Sequence, residues 1–309
     1  MTRHRLLTCL ALVGVVLLPV IAPPALAQQA MNPPDPTVRE IHAGETVHVA
    51  LLPGQVYLRS VNDPDSIVWD RIPTYRTFLT EAPPVHRSTL LRFDPKEGEY
   101  LYFQFARTAG RFYVRLRWQD SSENRKTTVN QFRDGAAIEF ALDGVDTSYM
   151  MGSGPKKPVN IWYWHPDRDE VENLAAGGYG STTSLPEQPV SGQSTYQTKR
   201  NSRDNQWHVV MSRKLDSTGK YQVDLQKGTI PVAFAVWQGA EEQRDGNKRV
   251  SNNWILVDLQ PTKAKPQRAA KASAGAAGTD AASARKVSRP AQRKVKSPGV
   301  KSKAAPKAG

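Results

Sequence analysis

The sequence predicts an all-β protein, an antiparallel β-sandwich with short helical insertions. Short runs rich in aromatic and β-branched residues recur between Gly, Pro, Asn and Asp turn signals, a pattern typical of strands. The clearest hairpin joins Tyr100–Ala106 to Arg111–Trp118 across the turn Thr108–Gly110,. Helical periodicity is scarce, and Arg168–Ala175 is the best candidate for a short helix. Two sheets of this kind bury their apolar sides by packing face to face.

The other predicted strands each rest on a local pattern. Glu45–Leu52 alternates polar and apolar residues, and Pro53-Gly54 turns it into Gln55–Arg59. A further turn at Asn62–Asp65 leads into the apolar run Ile67–Trp69,. The series continues with Ala136–Leu142, Val159–Trp164, Trp207–Arg213, Tyr221–Leu225, Ile230–Trp237 and Trp254–Leu259.

The second strand of the hairpin carries three arginines at alternate positions, Arg111, Arg115 and Arg117. Successive side chains of a strand point to opposite faces. We therefore expect one face of this strand to be solvated and the other to lie in the core.

The N-terminus reads as a secretory signal peptide, residues 1–27. Arg3 and Arg5 form a basic start, Leu6–Ile21 is apolar, and Ala25–Ala27 has the small-x-small cleavage pattern,. This segment contains no adjacent pair of arginines, so twin-arginine export is not favoured,. We expect export to the periplasm by the general secretory route and maturation near Gln28.

The net charge of +13 is carried outside the predicted sandwich, residues 28–261. Residues 262–309 hold nine Lys, four Arg and one Asp and no aromatic residue, so we expect a disordered Lys/Ala/Pro-rich tail. The sandwich itself is close to neutral. The tail is either a solubilising extension or an electrostatic contact with anionic surfaces, and nucleic acid is not expected as a partner of a secreted chain.

The cysteine content excludes several kinds of site. The one cysteine, Cys9, lies in the signal peptide, so the mature chain has no disulfide, thiolate zinc site, iron–sulfur ligation or covalent c-type haem attachment. The hydrolase, zincin and phosphate-loop motifs are absent,. The cluster Gly177–Gly180 is interpreted as a loop, and His165 is the one histidine retained as a ligand or supporting candidate.

An unusual stretch runs from Tyr149 to Trp164. Two adjacent methionines, Met150 and Met151, meet a Gly/Pro turn just before a run of three aromatic residues. Methionine specifies packing poorly, but a soft thioether beside flat apolar surface suits a flat prosthetic group. If the doublet lies on a strand, its two side chains point to opposite faces, so that one can bind while the other packs.

Seven segments in order carry a family resemblance. They are 63–69, 114–120, 132–140, 150–152, 159–162, 230–239 and 245–254. This order resembles the haem b-binding gamma subunits of the ethylbenzene dehydrogenase, dimethylsulfide dehydrogenase, selenate reductase and chlorate reductase family of periplasmic molybdoenzymes. The resemblance covers nearly all of residues 28–261 and omits the tail.

The resemblance implies a β-sandwich that holds one non-covalent haem b between a methionine and a lysine. The methionine maps onto Met151, with Met150 left open, and the lysine maps onto Lys248. A lysine binds iron only as the neutral amine, and both burial and metal coordination lower the pKa of an amine. Trp162, Trp164, Phe234 and Trp237 are the candidates for excluding water.

The implied function is electron transfer without catalysis. The chain would relay electrons between the iron–sulfur subunit of a molybdenum oxidoreductase, which also has a molybdopterin subunit, and an external carrier such as a c-type cytochrome. The alternative is a secreted carbohydrate-binding module that stacks sugars on exposed Trp and Tyr faces. A third alternative assigns the activity to the basic tail as a tether.

Overall fold

The computed structural model describes residues 37–53, 60–91, 97–217 and 219–262. The predicted signal peptide with Cys9, the predicted strand Gln55–Arg59 and the predicted tail from residue 263 onward lie outside these residues. Within the described ranges, no helix is both long and apolar enough to cross a membrane.

The described chain is built of strands, which confirms the all-β class. The strands are β1 (Val38–Glu40), β2 (Thr46–Leu51), β3 (Thr74–Glu81), β4 (Glu99–Arg107), β5 (Arg111–Gln119), β6 (Gly135–Ala141), β7 (Val159–His165), β8 (Glu170–Ala176), β9 (Thr183–Ser184), β10 (Ser191–Gln197), β11 (Gln206–Lys214), β12 (Thr229–Trp237), β13 (Arg249–Ser251) and β14 (Ile255–Thr262). The short helical insertions are 3-10 turns at Ile67–Arg71, Ser202–Asp204 and Gly239–Glu241 and one α turn at Arg87–Leu90.

The strands form one continuous sheet in the order β10-β11-β5-β4-β2-β14-β12-β6-β7-β8-β9. β3 pairs with β4, β1 and β13 beside this path. Most pairs are antiparallel as predicted, but β1–β3, β2–β4 and β2–β14 are parallel. These parallel partners are joined by long crossovers instead of hairpins, as parallel pairing requires.

The sheet folds over so that its two halves face each other across an aromatic core. Trp164 on β7 packs edge-on against Trp207 on β11, with ring centroids 5.0 Å apart. Phe103 on β4 meets Phe234 on β12 at 4.8 Å. Contacts of this kind between the halves make the fold a sandwich, and the burial of large rings supplies much of its stability.

Three local predictions are wrong. Ile67–Arg71 is a 3-10 turn, not a strand, because the Ser66 hydroxyl accepts a hydrogen bond from the Val68 N–H and caps it,. The predicted helix Arg168–Ala175 is strand β8, which pairs along its whole length with β7. Tyr221–Leu225 forms no strand.

The arginine face of β5 is only partly solvated, contrary to expectation. Arg115 is 7% exposed because the segment 60–72 covers it. Its Nη1 donates to Gln104 Oε1 at 2.9 Å, and Gln104 Nε2 donates to the Trp69 carbonyl at 2.7 Å. The guanidinium also lies 5.7 Å from the centre of the Trp69 ring,.

Two carboxyl groups lie together at the end of β5, both buried. Asp134 accepts hydrogen bonds from the Asn124 N–H, the Gly239 N–H and the Trp207 indole. Asp120 is 2% exposed, and one of its oxygens has no hydrogen-bond partner. Burial first, and then the charge of Asp134, raise the pKa of Asp120 to about 9,. The pair therefore holds a proton at neutral pH.

This proton makes stability depend on pH. The folded chain keeps a proton that the unfolded chain releases near the ordinary carboxyl pKa, so stability is lost as the pH rises toward 9,. We expect the free energy of unfolding to fall by about 2 kcal/mol between pH 7 and pH 9. Asp120→Asn, which mimics the neutral acid, should flatten this fall in urea titrations. An exposed control, Asp204→Asn, should not, and parallel profiles for all three proteins would contradict the account.

Candidate functional site

A second apolar surface lies on the outer face of β6, β7 and β12. The inner residues of these strands fill the aromatic core, so alternation places Ala137, Ala233 and Ala235 outside. Ala137 pairs with Ala235 on one side and with Tyr163 on the other. Because these side chains are small, the three strands present a flat floor.

A cleft of about 410 Å³ opens above this floor, within the usual size of small-molecule sites. It is lined by Arg133, Ala137, Glu139, Tyr149, Met150, Met151, Ile161, Tyr163, Leu174, Tyr179, Gly180, Thr182, Ala233, Phe234, Ala235, Trp237, Asp245, Gly246, Lys248 and Val250. All three residues predicted for the site therefore line one cleft.

The methionine doublet lies in a turn between β6 and β7, not on a strand, so the expectation of opposite strand faces is wrong. The Gly152 N–H donates to the Ser148 carbonyl at 3.0 Å, and the Met150 N–H donates to the Ser148 hydroxyl at 3.1 Å. Met151 has a φ of 68°, in the left-handed region, which costs a non-glycine residue about 1–3 kcal/mol. Backbone bonds of the turn hold it there, and Met150 and Met151 are both half-buried.

Gly152 fixes this turn against the end of β8. Its φ is 87°, and an added Cβ would lie 3.0 Å from the carbonyl oxygens of Ala176 and Lys157. Both contacts are with backbone, which cannot easily move away. The Gly178 N–H donates to the Met151 carbonyl at 2.7 Å, so the loop that follows β8 also holds Met151.

Gly152→Ala should therefore lower the free energy of unfolding by about 2–4 kcal/mol, from backbone strain plus the clash. Gly154→Ala is the matched control, since its φ is 98° but no atom lies within 4 Å of the added Cβ. It should cost only the strain, about 1 kcal/mol. Urea unfolding of both variants measures the difference, and equal losses would show that the contacts with β8 do not matter.

Lys248 reaches the methionine from the opposite wall. It precedes β13, and its carbonyl accepts a hydrogen bond from the Ala82 N–H at 2.8 Å. Its Nζ lies 3.6 Å from Met151 Sδ and 4.8 Å from the centre of the Trp237 ring. Two side chains 97 residues apart thus meet inside the cleft.

Sequence reasoning missed Glu139, which also lines the cleft. It is buried on β6, and its Oε1 has no hydrogen-bond partner. Burial raises the pKa of Glu139 to about 8, against the opposing effects of Lys248 and a backbone hydrogen bond from Met151. Burial also lowers the pKa of Lys248, although the carboxylates of Glu139 and Asp245 oppose this,. The available signal was a lone acid in the apolar run Ala136–Leu142.

The aromatic candidates divide between the two surfaces. Trp162, Trp164 and Phe234 are buried in the inner core, where Phe234 packs against Phe103. Trp237 lines the cleft, and Phe234 also borders it. His165 does not line it, since its two ring nitrogens face Asp167 and Glu172. The glycine cluster is a loop as predicted, and Tyr179 and Gly180 bring it to the cleft.

Other sites find less support in the described residues. No group of three or more His, Cys, Asp or Glu side chains in these ranges could hold a metal ion. All seven tryptophans are 9% exposed or less, so the sugar-stacking alternative has no exposed tryptophan face. Tyr179 and Tyr221 are the exposed tyrosines of the described chain.

Comparison with known proteins identifies the family. The sequence model of the family Ethylbenzene dehydrogenase matches residues 182–249, a range that includes Lys248. The dimethylsulfide dehydrogenase subunit gamma of Rhodovulum sulfidophilum is 52% identical over 239 residues, which cover 77% of this chain and 90% of that protein. This chain belongs to that gamma-subunit family.

Two further relatives of the gamma-subunit family are more distant. The chlorate reductase subunit gamma of Ideonella dechloratans is 35% identical over 62% of this chain and 77% of its own. A Haloferax mediterranei protein named as a respiratory nitrate reductase heme subunit is 35% identical over 64% and 68%. Among solved structures, a family 9 carbohydrate-binding module from Caldicellulosiruptor kristjanssonii covers 72% of this chain and 98% of its own at 10% identity, with a TM-score of 0.38. A likeness at that TM-score supports no conclusion about function.

Proposed function

We propose that this protein is a periplasmic electron-transfer subunit that binds haem b between Met151 and Lys248, with no catalytic site of its own. The observation that carries the proposal is the 3.6 Å approach of Lys248 Nζ to Met151 Sδ inside the cleft. Met150 lines the same cleft, but it is the sulfur of Met151 that Lys248 approaches, so we assign Met151 as the ligand.

The residues of the cleft fit such a group. A thioether and a neutral amine are both iron donors, and they approach each other from opposite walls. The floor of Ala137, Ala233 and Ala235 leaves room for a flat macrocycle. Trp237 closes one side with an aromatic face. The Oε1 atom of Glu139, which lines the cleft, is buried without a hydrogen-bond partner, and this supports a polar role for the cleft.

The amine must lose its proton before it can bind iron. Burial favours the neutral form of Lys248, whose pKa is lowered,. Glu139 can hold the released proton on Oε1, since burial raises the pKa of this carboxyl to about 8. When Lys248 is neutral, no positive charge faces the Glu139 carboxylate. A buried carboxylate without a partner charge is costly, so Glu139 should then hold a proton.

The bound iron would take up and release single electrons. If Met151 and Lys248 both bind the iron, they would leave it no open position for oxygen chemistry. Tyr149, Tyr179 and Trp237 line the cleft and would keep water away from the macrocycle. The left-handed turn at Met151 is held by the Gly178 N–H, which fixes the position of the sulfur.

The family suggests the partners. The relatives are named as gamma subunits or as a heme subunit of oxidoreductases, so we assign this chain to a complex with iron–sulfur and molybdopterin subunits. Electrons would pass between the iron–sulfur subunit and an external carrier such as a c-type cytochrome. The signal peptide predicted for residues 1–27 supports a periplasmic location for the complex, and the basic tail would be available for anionic surfaces.

Electron transfer to a carrier tests this role. The haem-loaded mature protein, reduced with dithionite and freed of excess reductant, should reduce an oxidised c-type cytochrome in stopped-flow absorbance measurements. The Met151→Ala and Lys248→Ala proteins, loaded in the same way, should transfer electrons at least roughly tenfold more slowly, because losing one axial ligand changes the potential and the geometry of the iron. Equal rates for all three proteins would count against the assigned ligands.

A further inference from the structure

The cleft has a charged rim that the axial ligands do not explain. Among the described residues that line it, Arg133 is the only basic side chain besides Lys248. Arg133 lies just before β6, and its side chain is 26% exposed. It therefore stands at the boundary between the apolar cleft and solvent.

Neighbouring groups hold the Arg133 guanidinium in place. Its Nη1 lies 2.6 Å from Asp167 Oδ2, and the guanidinium lies close enough to the Tyr163 phenol for its charge to affect the pKa of that phenol. The Tyr163 ring lies across Gly135, where an added Cβ would be 3.1 Å from the ring. A guanidinium has five N–H donors in a planar fork, so these contacts leave donors for one more acceptor.

The cofactor proposed above needs such a donor. Haem b is an apolar macrocycle with two carboxylate side arms on one edge. As the macrocycle covers the alanine floor, a carboxylate drawn toward the cleft loses water, and this is costly unless a cation meets it. Lys248 would not be available for this role, because under the proposed function its amine would hold the iron. Arginine is the residue best suited to paired hydrogen bonds with a carboxylate.

We propose that Arg133 is the carboxylate-binding residue of the cleft and holds a propionate of the bound haem at the rim. The inference rests on the proposed function and adds a subsite to it. Arg133 would fix the rotation of the macrocycle in its plane, whereas Met151 and Lys248 fix the iron. Asp167 and Tyr163 would orient the guanidinium before the cofactor arrives.

The test compares haem b with its dimethyl ester, in which both carboxylates are masked. Each is titrated into the cofactor-free mature protein and followed by absorbance. The wild-type protein should bind haem b roughly tenfold to a hundredfold more tightly than the ester, the value of a hydrogen bond to a charged group. Arg133→Gln should lose this preference, binding both forms about as the wild type binds the ester, with unchanged absorption bands.

Two variants serve as controls. Arg168→Gln removes an equal charge from an exposed neighbouring position that does not line the cleft, and it should retain the full preference. Arg133→Lys should recover part of it, because lysine keeps the charge but not the fork. If Arg133→Gln does not fold, the affinities of the wild-type protein for haem b and for the ester still test the inference. Equal affinities for the two would overturn it.

The two proposals fail differently. If the wild-type protein binds no haem, or if Met151→Ala and Lys248→Ala leave its spectrum unchanged, the proposed function is wrong. If haem binds through these two residues but Arg133→Gln keeps the preference for free carboxylates, only the carboxylate subsite is wrong.

Discussion

Replacing Lys248 with alanine is expected to open one axial position of the bound iron. The reduced variant should then bind carbon monoxide, seen as a shift of its strongest absorption band, whereas the wild type should not. Haem affinity should fall by more than about tenfold, since even the loss of a residue behind a metal ligand costs 10–100-fold. Met151→Ala should behave in the same way, because each residue supplies one side of the 3.6 Å pair.

The neighbouring methionine gives a matched control. Met150→Ala removes the same side chain from the adjacent position of the same turn, in the same cleft. It should leave the spectrum and the carbon monoxide response like those of the wild type. If the Met150→Ala protein binds carbon monoxide and the Met151→Ala protein does not, the ligand is Met150. The left-handed turn then serves to present Met150 instead.

Filling the cleft should abolish haem binding without unfolding the protein. Ala137 lies on β6 in the middle of the floor, between Tyr163 and Ala235. A phenyl ring at this position would occupy space that the macrocycle needs, so Ala137→Phe should lower haem affinity by roughly a hundredfold or more, a difference of about 3 kcal/mol. Ala137 is itself buried, but the ring enters an existing cleft, so the free energy of unfolding without haem should fall by no more than the roughly 1–3 kcal/mol of an overpacked core.

Two measurements check this expectation. Haem titration gives the affinity, and urea unfolding of the cofactor-free protein gives the stability. Ala109→Phe, which adds the same ring at an exposed residue of the β4–β5 turn, should change neither. Normal haem binding by Ala137→Phe would place the macrocycle outside this cleft.

The fold could be predicted where strand residues are strongly apolar. The β4–β5 hairpin and β12 carry aromatic and β-branched runs, and the structure has them close to the predicted bounds. β10 (Ser191–Gln197) was missed because its residues are mostly small and polar, and it is held by pairing with β11. β8 looked helical because it mixes charged and apolar residues. Pairing with β7 along its whole length makes it a strand, and Asn160 Nδ2 donates to the Asn173 side-chain oxygen at 2.8 Å between the two strands.

The site was predictable only in part, and for similar reasons. Met151 and Lys248 came from the family resemblance, and their meeting depends on two loops that local patterns do not place. The turn at Met151 replaced the expected strand because backbone bonds to Ser148 and Gly178 hold a left-handed residue. Glu139 gained its place in the cleft from the register of β6, and Arg133 gained its place from the segment just before that strand; long-range pairing decides both.

The absorbance spectrum of the purified mature protein, oxidised and then reduced, tests the central claim most directly. The account predicts an intense haem absorption band, present at one haem per chain, that shifts on reduction and differs in Met151→Ala and Lys248→Ala. A colourless protein that takes up no added haem would contradict it, as would a haem spectrum that neither substitution alters.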